Sequence, residues 1–433
     1  MKTLNTKNHL LLLLLFFAFS ASFYCFFWSE YTYFDDGSES LVIGRLLESE
    51  KTGILSYGGF TGRLVPDDSP AFLESNNSIN QYQLFLNDKK SFSDYRYITY
   101  NSQSGGQALL YSSIDKISPF SNEINLNIFR GINAILSAFV FLLFLSWCSR
   151  NYSFFNTFLT GLLLFLSPWI ATFAHNLWWA LWAFYLPFLC MLLLLERRHS
   201  GKAVSQNKIF LLLYASMFFK CIFNGMEYIT TTLTAVFVPI VYYFVLEKKS
   251  FKDFFVFSLK AGMISILAVF SEILIIILQL KVLKGTFKAG LDHIIISYNK
   301  RTSDVVINDW TSSISNNEYI QLIIKYLAGD AFSWSEQKIR FCYIIFLVFL
   351  SSIVLLFLKN KKRETYKPLV FSTIFSVFTA LSWILIFKQH SFIHTHLNFI
   401  VWYMPFLLFG FLSISVCIST LGEKILTIFK NKQ

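Results

Sequence analysis

Charge is scarce in this sequence. Of its 433 residues only 15% are Asp, Glu, Lys or Arg, while 55% are hydrophobic. That balance excludes a soluble globular domain and a disordered chain alike, and repeated apolar runs point to a multi-pass membrane protein. Cysteine pairing is also absent. The six cysteines (Cys25, Cys148, Cys190, Cys221, Cys342 and Cys417) lie in or at the ends of apolar runs, and none forms a Cys-x-x-Cys. A disulfide framework and a cysteine metal site are thereby excluded, and buried thiols are expected. No basic helix carries interleaved aromatics, so the net charge of +11 does not describe a nucleic-acid surface. Two glycine-bearing pieces, residues 56–63 and 100–107, read as turns without a following helix, which excludes a nucleotide-phosphate cradle.

What charge there is sits in short connectors. Apolar runs over residues 8–29, 131–147, 154–173, 178–195, 209–224, 229–246, 254–279, 341–358, 369–387 and 400–420 predict ten spans. About 20 apolar residues cross the ~30 Å hydrocarbon core. The close pair within 209–246 has a re-entrant reading as well. Lys2 and Lys7 precede the first run. The even-numbered runs exit at Arg150, Arg197-Arg198, Lys248-Lys249, Lys361-Lys362-Arg363 and the tail with Lys424, Lys430 and Lys432. Cations mark the cytosolic side, so both termini are expected inside. Ser20-Ala21-Ser22 has the look of a signal cleavage site, but the apolar run continues to Trp28, which suits an uncleaved anchor better.

The expected organisation is all-α and polytopic. A cytosolic N-terminus and first helix (1–29) lead to an outer polar loop (30–127), then helices two to seven (128–279). A second outer loop (280–340) precedes the last three helices and a cytosolic tail (341–433). Both loops and the short turns 174–176, 224–228 and 388–396 then share one face.

Directly after the first run stands Phe34-Asp35-Asp36-Gly37-Ser38-Glu39, and residues 40–48 have apolar positions fit for one face of a helix lying on the membrane. Asp36 and Glu39 have capping-box spacing, in which Asp36 caps and Glu39 bonds back to it. Asp35 is not needed for that cap. A span, adjacent carboxylates and an amphipathic helix together resemble the beginning of the polytopic GT-C glycosyltransferases, which use sugars carried on lipid phosphates. Tyr100-Asn101-Ser102-Gln103-Ser104-Gly105-Gly106-Gln107 is similar to a Y-x-S-Q-x-G-x-Q pattern of bacterial GT-C-like proteins. Elsewhere the resemblance rests on topology. The chain departs from many relatives in placing Asp36 and Gly37 where they carry Glu and a bulkier residue, so which aspartate is the base stays open.

The resemblance implies inverting transfer from a polyprenyl-phosphate sugar to a glycan or glycolipid acceptor, at the outer face of a bacterial cytoplasmic membrane. Asp35 or Asp36 would take the acceptor proton. Cations would stabilise the departing phosphate. No cofactor is required, and a divalent cation at the aspartate pair is compatible but not demanded. Among the expected substrate contacts, Glu39 follows the pair, and Gln103 and Gln107 offer amides to sugar hydroxyls. Arg130 suits a phosphate or simply snorkels. His175 lies in an outer turn. Glu227 stands in another, with Lys220 as its structural partner, and buried ionisable groups such as Lys220 and Glu272 are functional candidates. Lys388 with protonated His390 or His394 reads as a phosphate site. The set His390, His394 and His396 reads alternatively as a zinc site or as inert interfacial histidines. Trp178, Trp179, Trp182 and Tyr185 fall near one helical face, either a sugar platform or an aromatic belt. The rival functions are an O-antigen or capsule polymerase and a lipid-linked glycan transporter. The transporter is disfavoured by the lack of an internal repeat.

Overall fold

The computed structural model describes residues 6–28, 30, 34–67, 77–87, 94–302, 316–334, 337–358 and 363–430. The connector 359–362 and the termini 1–5 and 431–433, whose lysines entered the topology argument, lie outside these residues. The first helix, α1 (Thr6–Cys25), leads into a compact module. It comprises α2 (Asp36–Thr52), β1 (Thr61–Pro66), α3 (Asn77–Leu86), β2 (Tyr95–Tyr100) and α4 (Gly106–Ile117). The strands pair antiparallel, Thr61 opposite Tyr100 and Pro66 opposite Tyr95.

Helix α2 lies directly on β1. A Cβ at Gly44 would stand 2.2 Å from the Gly62 carbonyl oxygen and 2.9 Å from the Arg63 Cα, so nothing larger than glycine fits there. The expected one-faced helix on the membrane surface is not found. Every residue of α2 from Glu39 to Ser49 is buried, because β1, α3 and α4 enclose it. Its polar residues mimic a wet face but find most of their partners inside the protein. Arg45 donates to the carbonyls of Ser56 (2.8 Å), Gly53 (2.9 Å) and Ile54. Burial of such a charge is tolerable only with partners of this kind. The second glycine-bearing piece also departs from expectation, since α4 follows it. Gly105 takes a left-handed conformation before the helix, and a Cβ at Gly106 would meet Ile222 at 2.4 Å. The space a nucleotide phosphate would need is filled.

The bundle follows as α5 (Asn122–Asn151), α6 (Phe154–Phe165), α7 (Pro168–His175), α8 (Leu181–His199), α9 (Gln206–Asn224), α10 (Ile229–Ala235), α11 (Phe237–Leu246) and α12 (Phe251–Lys284). The segment expected as the second outer loop holds α13 (Phe287–Thr302), α14 (Asn316–Ala328) and the hairpin β3 (Asp330–Trp334) with β4 (Gln337–Arg340). Last come α15 (Phe341–Phe357), α16 (Arg363–Ile386), α17 (Lys388–Ile393), α18 (Thr395–Asn398) and α19 (Phe406–Lys430). Serine sets many of the starts. Ser121, Ser153, Ser167, Ser205 and Ser250 cap α5, α6, α7, α9 and α12, each accepting the N–H three residues on. Such a cap is worth about 1 kcal/mol.

The protein is an all-α, multi-pass membrane protein. Among the described residues six stretches are long and apolar enough to cross a membrane: α1, α5, α10 with α11, α12, α16 from Tyr366, and α19. The run expected as one span at 154–173 is α6 and α7, bent by 67° where Ser167 begins a new cap and Pro168 lacks an N–H; it makes a seventh if counted whole. Helix α5, about 45 Å long at 1.5 Å per residue, links two different ends. At its C-terminus Arg150 pairs with Glu196 of α8 through two bonds of 2.8 and 2.6 Å. Glu247, just past α11, meets His199 at 3.1 Å and Lys249 at 2.8 Å. At the other end of α5, Arg130 pairs with Glu39 of the compact module. All six cysteines are free, but only Cys148, Cys221 and Cys417 are buried, so the expectation of buried thiols holds for three.

Candidate functional site

A polar cavity of about 350 Å³ lies where the compact module meets the bundle. The first turn of α2 supplies Asp35, Gly37 and Ser38, and the two strands supply Arg63 and Tyr100. Trp178 and Trp179 come from the α7–α8 turn, Glu227 from the α9–α10 turn, and His390, His394 and Asn398 from α17 and α18. Segments far apart in the chain therefore converge on one hollow.

Asp35 is itself the N-cap of α2. Its Oδ1 accepts the Ser38 N–H at 3.0 Å, which corrects the expectation that Asp36 caps the helix and leaves Asp35 spare. The chain enters the helix one residue earlier than a capping box at Asp36 requires. Oδ2 accepts the Trp179 indole N–H at 3.1 Å, and the Asp35 carbonyl accepts the Asn176 amide at 2.8 Å. Burial raises the Asp35 carboxyl above the ordinary aspartate value, opposed by the bonds from Ser38 and Trp179 and by nearby His394. Trp179 is held in turn by Phe173 at 4.8 Å and by stacking on Tyr228 at 5.7 Å between centroids.

Glu227 is positioned from below. Lys220 of α9, fully buried, donates to the carbonyls of Gly225 at 2.9 Å and Glu227 at 2.6 Å, and so fixes the turn. The Glu227 carboxylate stands 3.7 Å from His390 Nε2, and the His390 and His394 rings are 4.7 Å apart. Two residues that flank the site, Ala180 (φ 40°) and Tyr228 (φ 50°), hold left-handed conformations. Non-glycine residues pay roughly 1–2 kcal/mol for this.

Of the residues expected from sequence, the cavity gathers Asp35, Trp178, Trp179, Glu227, His390 and His394. The others face elsewhere. Asp36 is half-buried and outside the lining. Glu39 is fully buried and pairs with Arg130 at 2.6 Å, accepts the Tyr82 hydroxyl at 2.8 Å, and accepts the Leu177 N–H at 2.9 Å. Glu39 and Arg130 thus join α2, α3, α5 and the α7–α8 turn. His175 bonds the Phe23 carbonyl at 2.9 Å and stacks on Phe26. Gln107 donates to the Trp178 carbonyl at 3.2 Å, and Gln103 is buried against Gly225. Lys388 packs over the Tyr319 ring at 3.8 Å. His396 is exposed, 6.1 Å from the His394 ring. Trp178 and Trp179 stand in a turn before α8, not on a shared helical face with Trp182 and Tyr185. Among the described residues, no three His, Cys, Asp or Glu side chains converge as a metal site requires.

Sequence reasoning missed Arg63. It is 7% exposed on β1, with Nε donating to Ser40 Oγ at 2.8 Å and Nη2 donating to the Gly37 carbonyl. The available signal was a cation inside Thr-Gly-Arg-Leu-Val, a short run that otherwise reads as strand. Missed too was an apolar groove of about 230 Å³ beside the cavity. Met226 and Ile229, Val269, Ile273 and Ile276 of α12, and Ile294 and Tyr298 of α13 line it, with Asn101 and Phe387 at its edge. Its wall continues that of the cavity: Tyr100 lines one and Asn101 the other, Glu227 one and Met226 the other. Nearby on α12 and α13, Phe270, Leu274, Ile295 and Ile296 are exposed, presenting apolar surface where lipid would lie. A hollow of about 380 Å³ at the opposite end of α2, by Ser49 and Asp115, draws on none of the convergent segments.

Comparisons with protein-family models, with curated proteins and with solved structures found no match to this chain.

Proposed function

We propose that the protein is a GT-C-type membrane glycosyltransferase of ten spans. It transfers a sugar from a polyprenyl-phosphate donor to a glycan or glycolipid acceptor at the outer face of a bacterial cytoplasmic membrane. The observation that carries this reading is the placing of the apolar groove next to the polar cavity, chain neighbours Tyr100 and Asn101, and Met226 and Glu227, lining one and the other. One ligand with a hydroxyl-rich head and a long apolar chain suits both compartments. Asp35 lines the cavity, is oriented by Ser38 and Trp179, and acts as the general base. It takes the proton of the acceptor hydroxyl as that oxygen attacks the anomeric carbon, and the lipid phosphate leaves with the bonding electrons. Trp178 and Tyr100, edge to face at 5.3 Å, offer aromatic surface to a sugar ring.

The test is release of polyprenyl phosphate by the purified protein in detergent, using a panel of polyprenyl-phosphate sugars and a lipid and glycan extract as acceptor. Asp35→Asn should lower release by roughly 10²–10⁴-fold, the usual worth of general-base catalysis. Asp36→Asn should be milder. Near-normal transfer by Asp35→Asn removes Asp35 from the role, and no release from any donor by the wild type removes the reading itself.

A further inference from the structure

A departing phosphate needs a cation, and the two permanent cations expected from sequence at a phosphate are engaged elsewhere: Lys388 on the Tyr319 ring and Arg130 on Glu39. Among the described residues lining the cavity, the only Lys or Arg is Arg63. Its position is built from the backbone upward. Gly62 lets β1 lie against β2, where a Cβ would meet the Ile98 carbonyl at 2.3 Å, and Gly44 lets α2 descend onto β1. Arg63 is thereby brought under the first turn of α2. Ser40 Oγ and the Gly37 carbonyl hold two of its three guanidinium nitrogens. Nη1 makes no hydrogen bond within the described residues, and the side chain is more than nine-tenths buried while lining the hollow.

We propose that Arg63 is the phosphate anchor of the cavity, its Nη1 edge binding the phosphate of the membrane amphiphile whose chain lies in the adjoining groove. This rests on the amphiphile reading above. A guanidinium fixed on two sides presents its remaining N–H groups in one plane, with little entropy left to lose on binding an oxyanion. Gly37 and Ser38 belong to the N-terminal turn of α2, whose partial positive charge has the same sign. The carboxylates of Asp35 and Asp36 are the acidic neighbours of Arg63. They favour the charged guanidinium through space, as Tyr100 does, and Glu227, His390 and His394 face the cavity from the opposite elements. A residue that served only to tie β1 to α2 would give the site no preference for an anion.

The experiment measures binding of farnesyl phosphate, farnesol and inorganic phosphate to the purified protein in detergent, with thermal unfolding as the check on folding. Wild type should prefer farnesyl phosphate to farnesol by roughly 10- to 100-fold, the range of a charge-assisted hydrogen bond. Inorganic phosphate should bind weakly, because it lacks the chain. Arg63→Gln should abolish the preference while farnesol binding stays unchanged, and Arg63→Lys should keep part of it. If Arg63→Gln retains the full preference, the anchor assignment is overturned and the lipid-phosphate reading stands. If wild type shows no preference for phosphate over alcohol, that reading fails and the anchor with it. Inorganic phosphate binding as tightly as farnesyl phosphate, and lost in Arg63→Gln, would keep the anchor but make the ligand a free phosphate. Should Arg63→Gln not fold, a structure of wild type with farnesyl phosphate decides. Phosphate within hydrogen-bond reach of Nη1 supports the assignment, and phosphate elsewhere overturns it.

Discussion

Asp35 does two things with one carboxylate: it starts a helix and, in the proposed reaction, accepts a proton. The two roles predict different consequences for one substitution. Because burial raises its pKa, the folded protein holds the Asp35 proton more tightly than the unfolded chain does. That contribution to stability is present at low pH and is lost as pH rises through the raised folded value. Above the ordinary aspartate range that stabilisation is therefore being lost. Asp35→Asn, whose amide caps a helix about as well, should unfold at pH 7 at the same temperature as wild type or higher. The difference should vanish below the ordinary aspartate range. Wild-type transfer should fall as pH drops through the same raised value, and a pH–rate profile measures this. Glu39 depends on its cation instead. Arg130→Met leaves a fully buried carboxylate without its cation, an imbalance worth about 3–5 kcal/mol, visible as a lowered unfolding temperature. Asp35, Glu227, His390 and His394 were legible as polar groups in outer segments. The engagement of Lys388 and Arg130 was not, since each depends on a partner distant in the chain.

At the scale of elements, α2 shows where pattern reading fails. Apolar positions mixed with Arg45 and Glu48 look the same whether the polar residues meet water or internal carbonyls, and only the packing of β1, α3 and α4 decides. The local signal that mattered was Gly44, which reads as a mere weakness in a helix until a strand lies against it. Gly44→Ala drives a Cβ into backbone at 2.2 Å, an overpacking for which about 1–3 kcal/mol or more is expected. Gly422→Ala, with nothing within 4 Å of the added carbon, should be neutral or slightly stabilising, since alanine favours the helix of α19. Paired thermal-unfolding measurements check both. The left-handed Ala180 and Tyr228 had no signature either, because that conformation is ordinarily announced by glycine or asparagine.

For the whole molecule, the apolar runs and the basic connectors were the most readable features. The C-terminal ends of α5 and α8 and the turn after α11 bring Arg150, Glu196, His199, Glu247 and Lys249 together at one end. The bend at Pro168 and the shortness of α15 made the number of spans harder to read than their existence. With Cys25 replaced by serine, cysteines at the exposed positions Lys116 and Thr286 should react with a membrane-impermeant maleimide applied to intact cells. Those at Lys202 and Lys252 should react only after permeabilisation. Labelling of all four without permeabilisation would contradict the topology and, with it, the shared face on which the proposed site depends.

The groove between α12 and α13 makes substrate supply a problem in two dimensions. In the proposed reaction a chain-bearing donor would reach Ile276 and Ile294 by lateral diffusion in the leaflet, so the quantity that sets the rate would be its mole fraction among lipids, not its molarity in the sample. Adding inert phospholipid at constant volume and donor amount should then slow transfer in proportion, as surface dilution demands. A water-soluble acceptor would follow bulk concentration, leaving one reaction governed by two different units.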